Sequence, residues 1–202
     1  MLASGSRYRA ELMVAEGLAA VVDPPDVDER AADRLFAEQG PDGLALELAR
    51  RKAAAVAPRP PGSRIVAADQ VGVVDRPPDR GGPLMLVQRP DADGAVAQLM
   101  AMAGTTHLLV NGLVVLDTTT GDRVEGVDVQ RVSMRDSTEA EARRYVEDFE
   151  PFDCAGSYRL EDQDEMPAAR RFVTGVDGEH PSGVVGLPLP LLHRLLDELS
   201  RR

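Results

Sequence analysis

The residues best suited to bind an anion lie at the start of the chain, in the stretch LASGSRYRAEL at 2–12. Two serines flank a glycine just before an amphipathic helix, and Arg9 falls in the first turn of that helix. Backbone N–H groups at a helix N-terminus hold phosphate well, and serine hydroxyls and an arginine can add to them. The same pattern fits a Ser/Gly turn that only caps the helix, so both interpretations stay open.

A second candidate for chemistry is the carboxylate of Asp69, within the segment RIVAADQVGVVD at 64–75. This segment is β-branched and apolar except for Asp69 and Gln70 at its centre, which is typical of a buried strand. Because a buried, unpaired carboxylate is costly, Asp69 is either hydrogen-bonded for structure or exposed at a strand end where chemistry takes place.

The elements that must position these residues alternate between strand and helix periodicity, which predicts an α/β protein. We predict a first helix ended by Gly17, a strand over 19–23, a helix over 43–57 and a hairpin that turns at 120–122. Ser137 is the predicted N-cap of a charged helix. The remaining expectations are a proline- and glycine-rich loop at 76–83 and a closing helix within 187–202.

Composition excludes several classes of protein. A chain of 202 residues with 43% hydrophobic content can bury a core, as one domain or as two lobes sharing a cleft. Its formal net charge of -11 repels nucleic-acid polymers and anionic membrane surfaces, whereas a small anion can bind where cations converge. The single cysteine fits a reducing compartment, and the longest apolar stretches are too short to span a bilayer, so we expect a cytoplasmic protein.

Other catalytic arrangements find little support in the sequence. Cys154 lacks a partner histidine and base, and the three histidines, His107, His180 and His193, have no metal-ligand spacing. ASGSR at 3–7 is not a nucleophile elbow. We interpret His107 as a structural histidine.

Seven segments resemble, in this order along the chain, motifs of the Maf family of nucleotide pyrophosphatases. They are LASGSRYR at 2–9, DVDE at 26–29, ARRKA at 49–53, AADQV at 67–71, GTTH at 104–107, EPFDCAGSYRLE at 150–161 and VVGLPL at 184–189. The resemblance implies an inosine-triphosphatase-like α/β fold over 1–202, a single domain with a mixed central sheet and two lobes around a cleft. It also implies a hydrolase of acid anhydrides that converts a nucleoside triphosphate to a monophosphate and diphosphate.

The resemblance also assigns site residues. The family's proton acceptor falls on Asp69, and its glutamate and helix lysine fall on Glu29 and Lys52, which we expect to act in catalysis. A divalent cation, Mg²⁺ or Mn²⁺, is expected on Glu29 and Asp69; which carboxylate contacts the metal and which the water stays open. The substrate is expected to be bound by Ser4, Ser6, Arg9 and Arg89, where Arg89 replaces a lysine common in the family.

Three further positions resemble the branch of the family that hydrolyses 7-methyl-GTP: Tyr8, Gln70 and Glu161. The branch that acts on thymidine and uridine triphosphates usually has arginine, threonine and glutamine there. Methylation makes guanine cationic, so Tyr8 can stack on it with a cation–π gain of up to about 2 kcal/mol. Glu161 can accept from two adjacent guanine N–H donors, which a pyrimidine does not offer, with a discrimination of roughly 1–3 kcal/mol.

Two other functions remain open from the sequence. One is a pyrophosphatase for dTTP, UTP or other modified nucleotides. The other is a nucleotide-binding regulator of septum formation without turnover, although the retention of Asp69, Glu29 and Lys52 argues against it. We expect a small nucleotide as the partner, with the choice between a monomer and a homodimer left open. Only Met1 precedes Leu2, so we also expect a shortened first strand.

Overall fold

A computed structural model describes residues 1–18, 21–58, 62–76, 79 and 81–202. Its strands are β1 (Leu2–Ala3), β2 (Arg64–Val74), β3 (Leu84–Leu86), β4 (Thr106–Asp117), β5 (Arg123–Met134) and β6 (Val173–Asp177). Its α-helices are α1 (Arg7–Ala15), α2 (Arg34–Val56), α3 (Ala92–Met102), α4 (Glu139–Phe149), α5 (Leu160–Glu165) and α6 (Leu189–Leu199).

The strands form one mixed sheet with the order β1-β2-β4-β5-β6, and β3 also pairs with β2. β1 runs parallel to β2, whereas β3 is antiparallel to β2 and β6 is antiparallel to β5. The combination of six α-helices with a mixed six-stranded sheet among the described residues confirms the predicted α/β class. The hairpin is also confirmed, since β4 ends at Asp117 and β5 begins at Arg123.

The two faces of β2 enter two different apolar clusters. Ile65 and Ala67 pack with residues of α2, whereas Val66 and Ala68 pack with residues of α1 and α6. Because strand side chains alternate between faces, Asp69 continues the face toward α2 and Gln70 continues the opposite face. The alternation of β2 therefore decides which partners each of its two polar residues meets.

Gly112 in β4 allows α2 to approach the sheet closely. A Cβ at this position would lie 2.3 Å from the backbone carbonyl carbon of Ala45, so any larger residue would push α2 away. The glycine thereby contributes to the position of every side chain that α2 presents to the sheet.

The chain divides into two compact units. The first unit comprises Met1–Val71, Val110–Val129 and Gly178–Arg202, and the second comprises Gly72–Leu109 and Gln130–Asp177. The assignment of 1–202 to a single domain stays a prediction. Among the described residues, no helix is long and apolar enough to cross a membrane.

Several predicted elements differ from those observed. The strand over 19–23 is wrong in its described part, since Val22 forms only an isolated bridge with Leu2, and residues 19 and 20 lie outside the described residues. The N-cap of α4 is Thr138, not Ser137, because Thr138 forms a capping box with Glu141. Of the loop at 76–83, residues 77, 78 and 80 lie outside the described residues.

The second helix also differs, since α2 begins at Arg34, before the predicted start at residue 43. It is interrupted at Gly40, which has a φ of 73° that a helix cannot contain. Two helical segments therefore meet at this glycine, and the predicted helix corresponds to the second of them.

Candidate active site

A buried lysine joins two carboxylates in the first unit. The Nζ atom of Lys52 lies 2.7 Å from Oε1 of Glu29 and also contacts Oδ1 of Asp69. Lys52 and Asp69 are buried, whereas the side chain of Glu29 is 56% exposed. Asp69 reaches Lys52 because it lies on the face of β2 that packs against α2. The three residues predicted for catalysis are thus brought together at one ammonium group.

The environment of Asp69 suits a proton acceptor. Burial raises the pKa of Asp69 above its ordinary value, while the nearby charges of Lys52 and Arg9 act in the opposite direction. A carboxylate with a raised pKa binds a proton more strongly and makes a better general base near neutral pH. The contact with Lys52 also agrees with a purely structural role for Asp69. A catalytic role and a structural role predict different effects of the substitution Asp69→Asn on activity and stability.

The serines before α1 organise the backbone and one arginine. Ser6 is the N-cap of α1 and accepts a hydrogen bond from the backbone N–H of Arg9 at 3.4 Å. The buried Ser4 Oγ accepts from the backbone N–H of Ser6 at 3.1 Å and from Nη1 of Arg9 at 3.5 Å. The capping interpretation of this stretch is therefore confirmed, and the anion-binding interpretation stays a prediction.

The guanidinium of Arg9 is anchored next to the catalytic candidate. Its Nη1 donates to the carbonyl oxygen of Ala68 at 2.7 Å, one residue before Asp69. Its Nε is buried and has no hydrogen-bond partner in the described part of the chain. A buried hydrogen-bond donor without a partner lowers the stability of the folded protein. Arg9 therefore retains hydrogen-bonding capacity for an anion.

Gly186 lies against this guanidinium. It has a φ of +92°, and a Cβ at its position would lie 2.8 Å from Nη2 and 3.0 Å from Nε of Arg9. The absence of a side chain at Gly186 is thus required for the observed position of Arg9. Sequence reasoning assigned no role to this glycine, although it lies within the VVGLPL motif.

The amide of Gln70 is bound within the first unit. Its Nε2 donates to Oδ1 of Asn111 at 3.1 Å and to the carbonyl oxygens of Gly183 and Val184 at 3.0 and 3.1 Å. Asn111 in turn donates to Oδ2 of Asp128 at 3.0 Å. A base contact by Gln70 would therefore use its carbonyl oxygen. Sequence reasoning missed Asn111, which a polar residue in the apolar strand THLLVNGLVVLD could have signalled.

Tyr8 lies on α1, directly before Arg9, and the residue is 39% exposed. An exposed ring at this place is available for stacking, and its predicted contact with a base stays a prediction.

Arg89 and Glu161 belong to the second unit. The side chain of Arg89 lies beside the first turn of α3, since a Cβ built on Gly94 would be 3.5 Å from Cδ of Arg89. The Nε atom of Arg89 is buried and has no hydrogen-bond partner among the described residues. Glu161 is exposed in the first turn of α5, whereas its neighbour Asp162 is buried. Of the two adjacent carboxylates, Glu161 is the one accessible to a ligand.

The divalent cation expected on Glu29 and Asp69 stays a prediction, with which the carboxylate chemistry of the two residues is compatible. Both contact one ammonium group, so they already converge on a single positive charge. In the described ranges no group of three or more His, Cys, Asp or Glu side chains could hold a metal ion. Mg²⁺ commonly binds one or two carboxylates together with substrate phosphates, which is the donor set that these two residues offer.

Comparison with known proteins covers nearly the whole chain. A family described as Maf-like protein matches residues 1–199. The chain is 32% identical over 198 residues to a 7-methyl-GTP pyrophosphatase of Nitrosococcus oceani, covering 98% of this chain and 92% of that protein. It is 35% identical over 202 residues to a nucleoside triphosphate pyrophosphatase of Streptomyces coelicolor, with 99% and 90% covered. It is also 32% identical over 203 residues to a dTTP/UTP pyrophosphatase of Acetivibrio thermocellus, with 99% and 94% covered.

Proposed function

Because the chain belongs to the Maf-like protein family, we propose that it is a nucleoside triphosphate pyrophosphatase that hydrolyses 7-methyl-GTP to 7-methyl-GMP and diphosphate. The observation that carries this proposal is the cluster in which the buried Lys52 contacts the buried Asp69 and the exposed Glu29. We place the enzyme in the cytoplasm, where its single cysteine fits the reducing conditions.

Release of diphosphate breaks the P–O bond that joins the α- and β-phosphates, and water supplies the new oxygen. Asp69 accepts a proton from the attacking water, a general-base role worth typically ~10²–10⁴ in rate. The raised pKa that burial gives Asp69 supports this assignment. The diphosphate leaves with the electron pair of the broken bond.

Charge compensation falls to the cationic side chains, since the protein as a whole carries a formal net charge of -11. Arg9 and Lys52 offset the charge of the triphosphate, with Arg89 as the further cation that the sequence assigns to it. The buried Nε atoms of Arg9 and Arg89, each without a partner among the described residues, support a role in binding anionic oxygens. A Mg²⁺ or Mn²⁺ ion on Glu29 and Asp69 would polarise a phosphoryl oxygen.

Base selection is assigned to Tyr8, Gln70 and Glu161. The exposed ring of Tyr8 stacks on the cationic methylated guanine, and Glu161 accepts from the guanine N–H donors. The carbonyl end of Gln70 is the part of that side chain directed to the ligand, because its amide nitrogen is bound within the first unit.

A nucleotide panel tests this function. Diphosphate release is measured with 7-methyl-GTP, GTP, UTP and dTTP, and the proposal predicts the highest kcat/KM for 7-methyl-GTP. Higher kcat/KM for UTP or dTTP would identify the pyrimidine enzyme, and tight binding of every nucleotide without product would identify the regulator.

A matched pair of variants at Tyr8 separates stacking from simple packing. Tyr8→Phe keeps an aromatic face and is expected to retain the preference for 7-methyl-GTP over GTP. Tyr8→Leu removes the face, so this preference should fall by up to about 30-fold, the equivalent of a cation–π gain of about 2 kcal/mol. An unchanged ratio in Tyr8→Leu would remove Tyr8 from base selection.

A further inference from the structure

The short helix α5 carries the exposed carboxylate of Glu161, and side chains outside the helix hold it in place. Its N-cap residue, Arg159, makes no side-chain capping hydrogen bond. The buried face of the helix consists of Asp162 and Gln163. Gln163 is bound through its Oε1, which accepts from the backbone N–H of Phe172 at 2.7 Å. What fixes the first turn, where Glu161 lies, is a different contact.

That contact is the hydroxyl of Tyr145 in α4. It donates a hydrogen bond to Oδ2 of Asp162 and accepts one from the backbone N–H of Arg159 at 3.1 Å. One oxygen atom therefore joins the residue before the helix to the third residue of the helix. The backbone of Glu161 lies between these two attachment points, so the hydroxyl constrains the turn that carries its side chain.

The hydroxyl is itself held rigidly, because the ring of Tyr145 is fully buried. The ring packs against Phe149 with centroids 5.0 Å apart and edge-on against Phe172 with centroids 5.4 Å apart. Burial also raises the pKa of Tyr145, so the hydroxyl remains a hydrogen-bond donor across the physiological range. Removing only the hydroxyl leaves these ring contacts in place.

We propose that Tyr145 is a positioning residue for base selection, whose hydroxyl fixes the first turn of α5 and thereby the carboxylate of Glu161. This inference rests on the proposed function, since it needs Glu161 to contact the base. Arg159 provides a weaker second brace, because its Nη1 lies 3.5 Å from Oδ2 of Asp162 and donates to the carbonyl oxygen of Phe149 at 3.2 Å. Among the described residues, this ion pair is the other side-chain contact of Asp162 and remains when the hydroxyl is removed.

The test is a double-mutant cycle between Tyr145→Phe and Glu161→Gln. For each protein, kcat and KM are measured with 7-methyl-GTP and with UTP, and the melting temperature is measured on the same preparation. Tyr145→Phe should raise KM for 7-methyl-GTP by roughly tenfold, with little change in kcat or in the kinetics of UTP. In the Glu161→Gln background, Tyr145→Phe should not further change the substrate ratio, which is kcat/KM for 7-methyl-GTP divided by kcat/KM for UTP.

Tyr158→Phe is the matched control, because it removes another buried tyrosine hydroxyl of the same unit. The Tyr158 hydroxyl pairs with Nε2 of His107 in β4 at 2.8 Å, not with a residue of α5. This variant should lower the melting temperature without changing the substrate ratio. Asp162→Ala removes the acceptor of the Tyr145 hydroxyl and should reproduce the rise in KM, so the inference stays testable if Tyr145→Phe folds poorly.

Three results would overturn the inference. The first is that Tyr145→Phe changes the substrate ratio equally in the wild type and in Glu161→Gln, and the second is that Tyr158→Phe changes this ratio as much as Tyr145→Phe does. The third is that Tyr145→Phe lowers the melting temperature and leaves the substrate ratio unchanged. A wild type without preference for 7-methyl-GTP would overturn the proposed function and this inference together. A wild type with the preference for 7-methyl-GTP, lost in Glu161→Gln but kept in Tyr145→Phe and Asp162→Ala, would overturn the inference alone.

Discussion

The contact between Gly186 and Arg9 predicts a large loss of activity for Gly186→Ala. The new methyl group would lie 2.8 Å from Nη2 of Arg9, closer than real Cβ contacts come. Because the guanidinium is the flexible end of its side chain, it moves away, and its hydrogen bond of 2.7 Å to the carbonyl oxygen of Ala68 is strained or lost. A displacement approaching 1 Å at a substrate-binding group costs up to about 10²-fold, so kcat/KM should fall by about 10- to 100-fold.

The same substitution also strains the backbone, since Gly186 has a φ of +92°. A residue with a side chain in this region costs about 1–3 kcal/mol of stability. Gly121→Ala is the matched control, because Gly121 has a φ of +81° in the hairpin turn and nothing within 4 Å of the added methyl group. Both variants should lose a similar free energy of unfolding in urea, and only Gly186→Ala should lose kcat/KM. Equal activities of the two variants, measured at a temperature where both are folded, would refute the role of this contact.

Two further predictions concern Asp69 and His107. Asp69→Asn should lower kcat by at least ~10²-fold with a near-normal melting temperature. A variant that melts normally and turns over at the wild-type rate would remove Asp69 from the mechanism. Activity lost only in proportion to the unfolded fraction would show that the role of Asp69 is structural. Burial lowers the pKa of His107 from 6.5 to about 4, so the unfolded chain takes up the proton first and stability falls as the pH drops through this window. The contribution is about 3 kcal/mol, and urea unfolding of His107→Gln between pH 7.5 and 4 should show a smaller decrease than the wild type; equal decreases would contradict the assignment.

The sequence predicted the strand that carries Asp69, because its apolar run is long and β-branched, and the period of two then decides that Asp69 and Gln70 face opposite ways. It also predicted the groups that meet at Lys52, through the resemblance of separate motifs. It did not predict that the amide of Gln70 binds the carbonyl oxygens of Gly183 and Val184, since such long-range contacts leave no local pattern.

The errors at helix starts have a local physical cause. Ser137 and Thr138 are both good N-cap residues, and the choice depends on which of them lies three residues before a glutamate. Glu141 lies three residues after Thr138, so the capping box forms between these two residues. The sequence did not predict the segment of α2 before residue 40, because Gly40 and Pro41 are typical of a helix end. In the structure, Gly40 adopts a positive φ and helical segments lie on both sides of it.

The most direct test of the central claim is the identity of the phosphorus products. The protein is incubated with 7-methyl-GTP and Mg²⁺ and followed by ³¹P NMR, with Asp69→Asn purified in parallel to control for contaminating hydrolases. The account predicts 7-methyl-GMP and diphosphate in equal amounts from the wild type. Formation of 7-methyl-GDP and orthophosphate instead would contradict it.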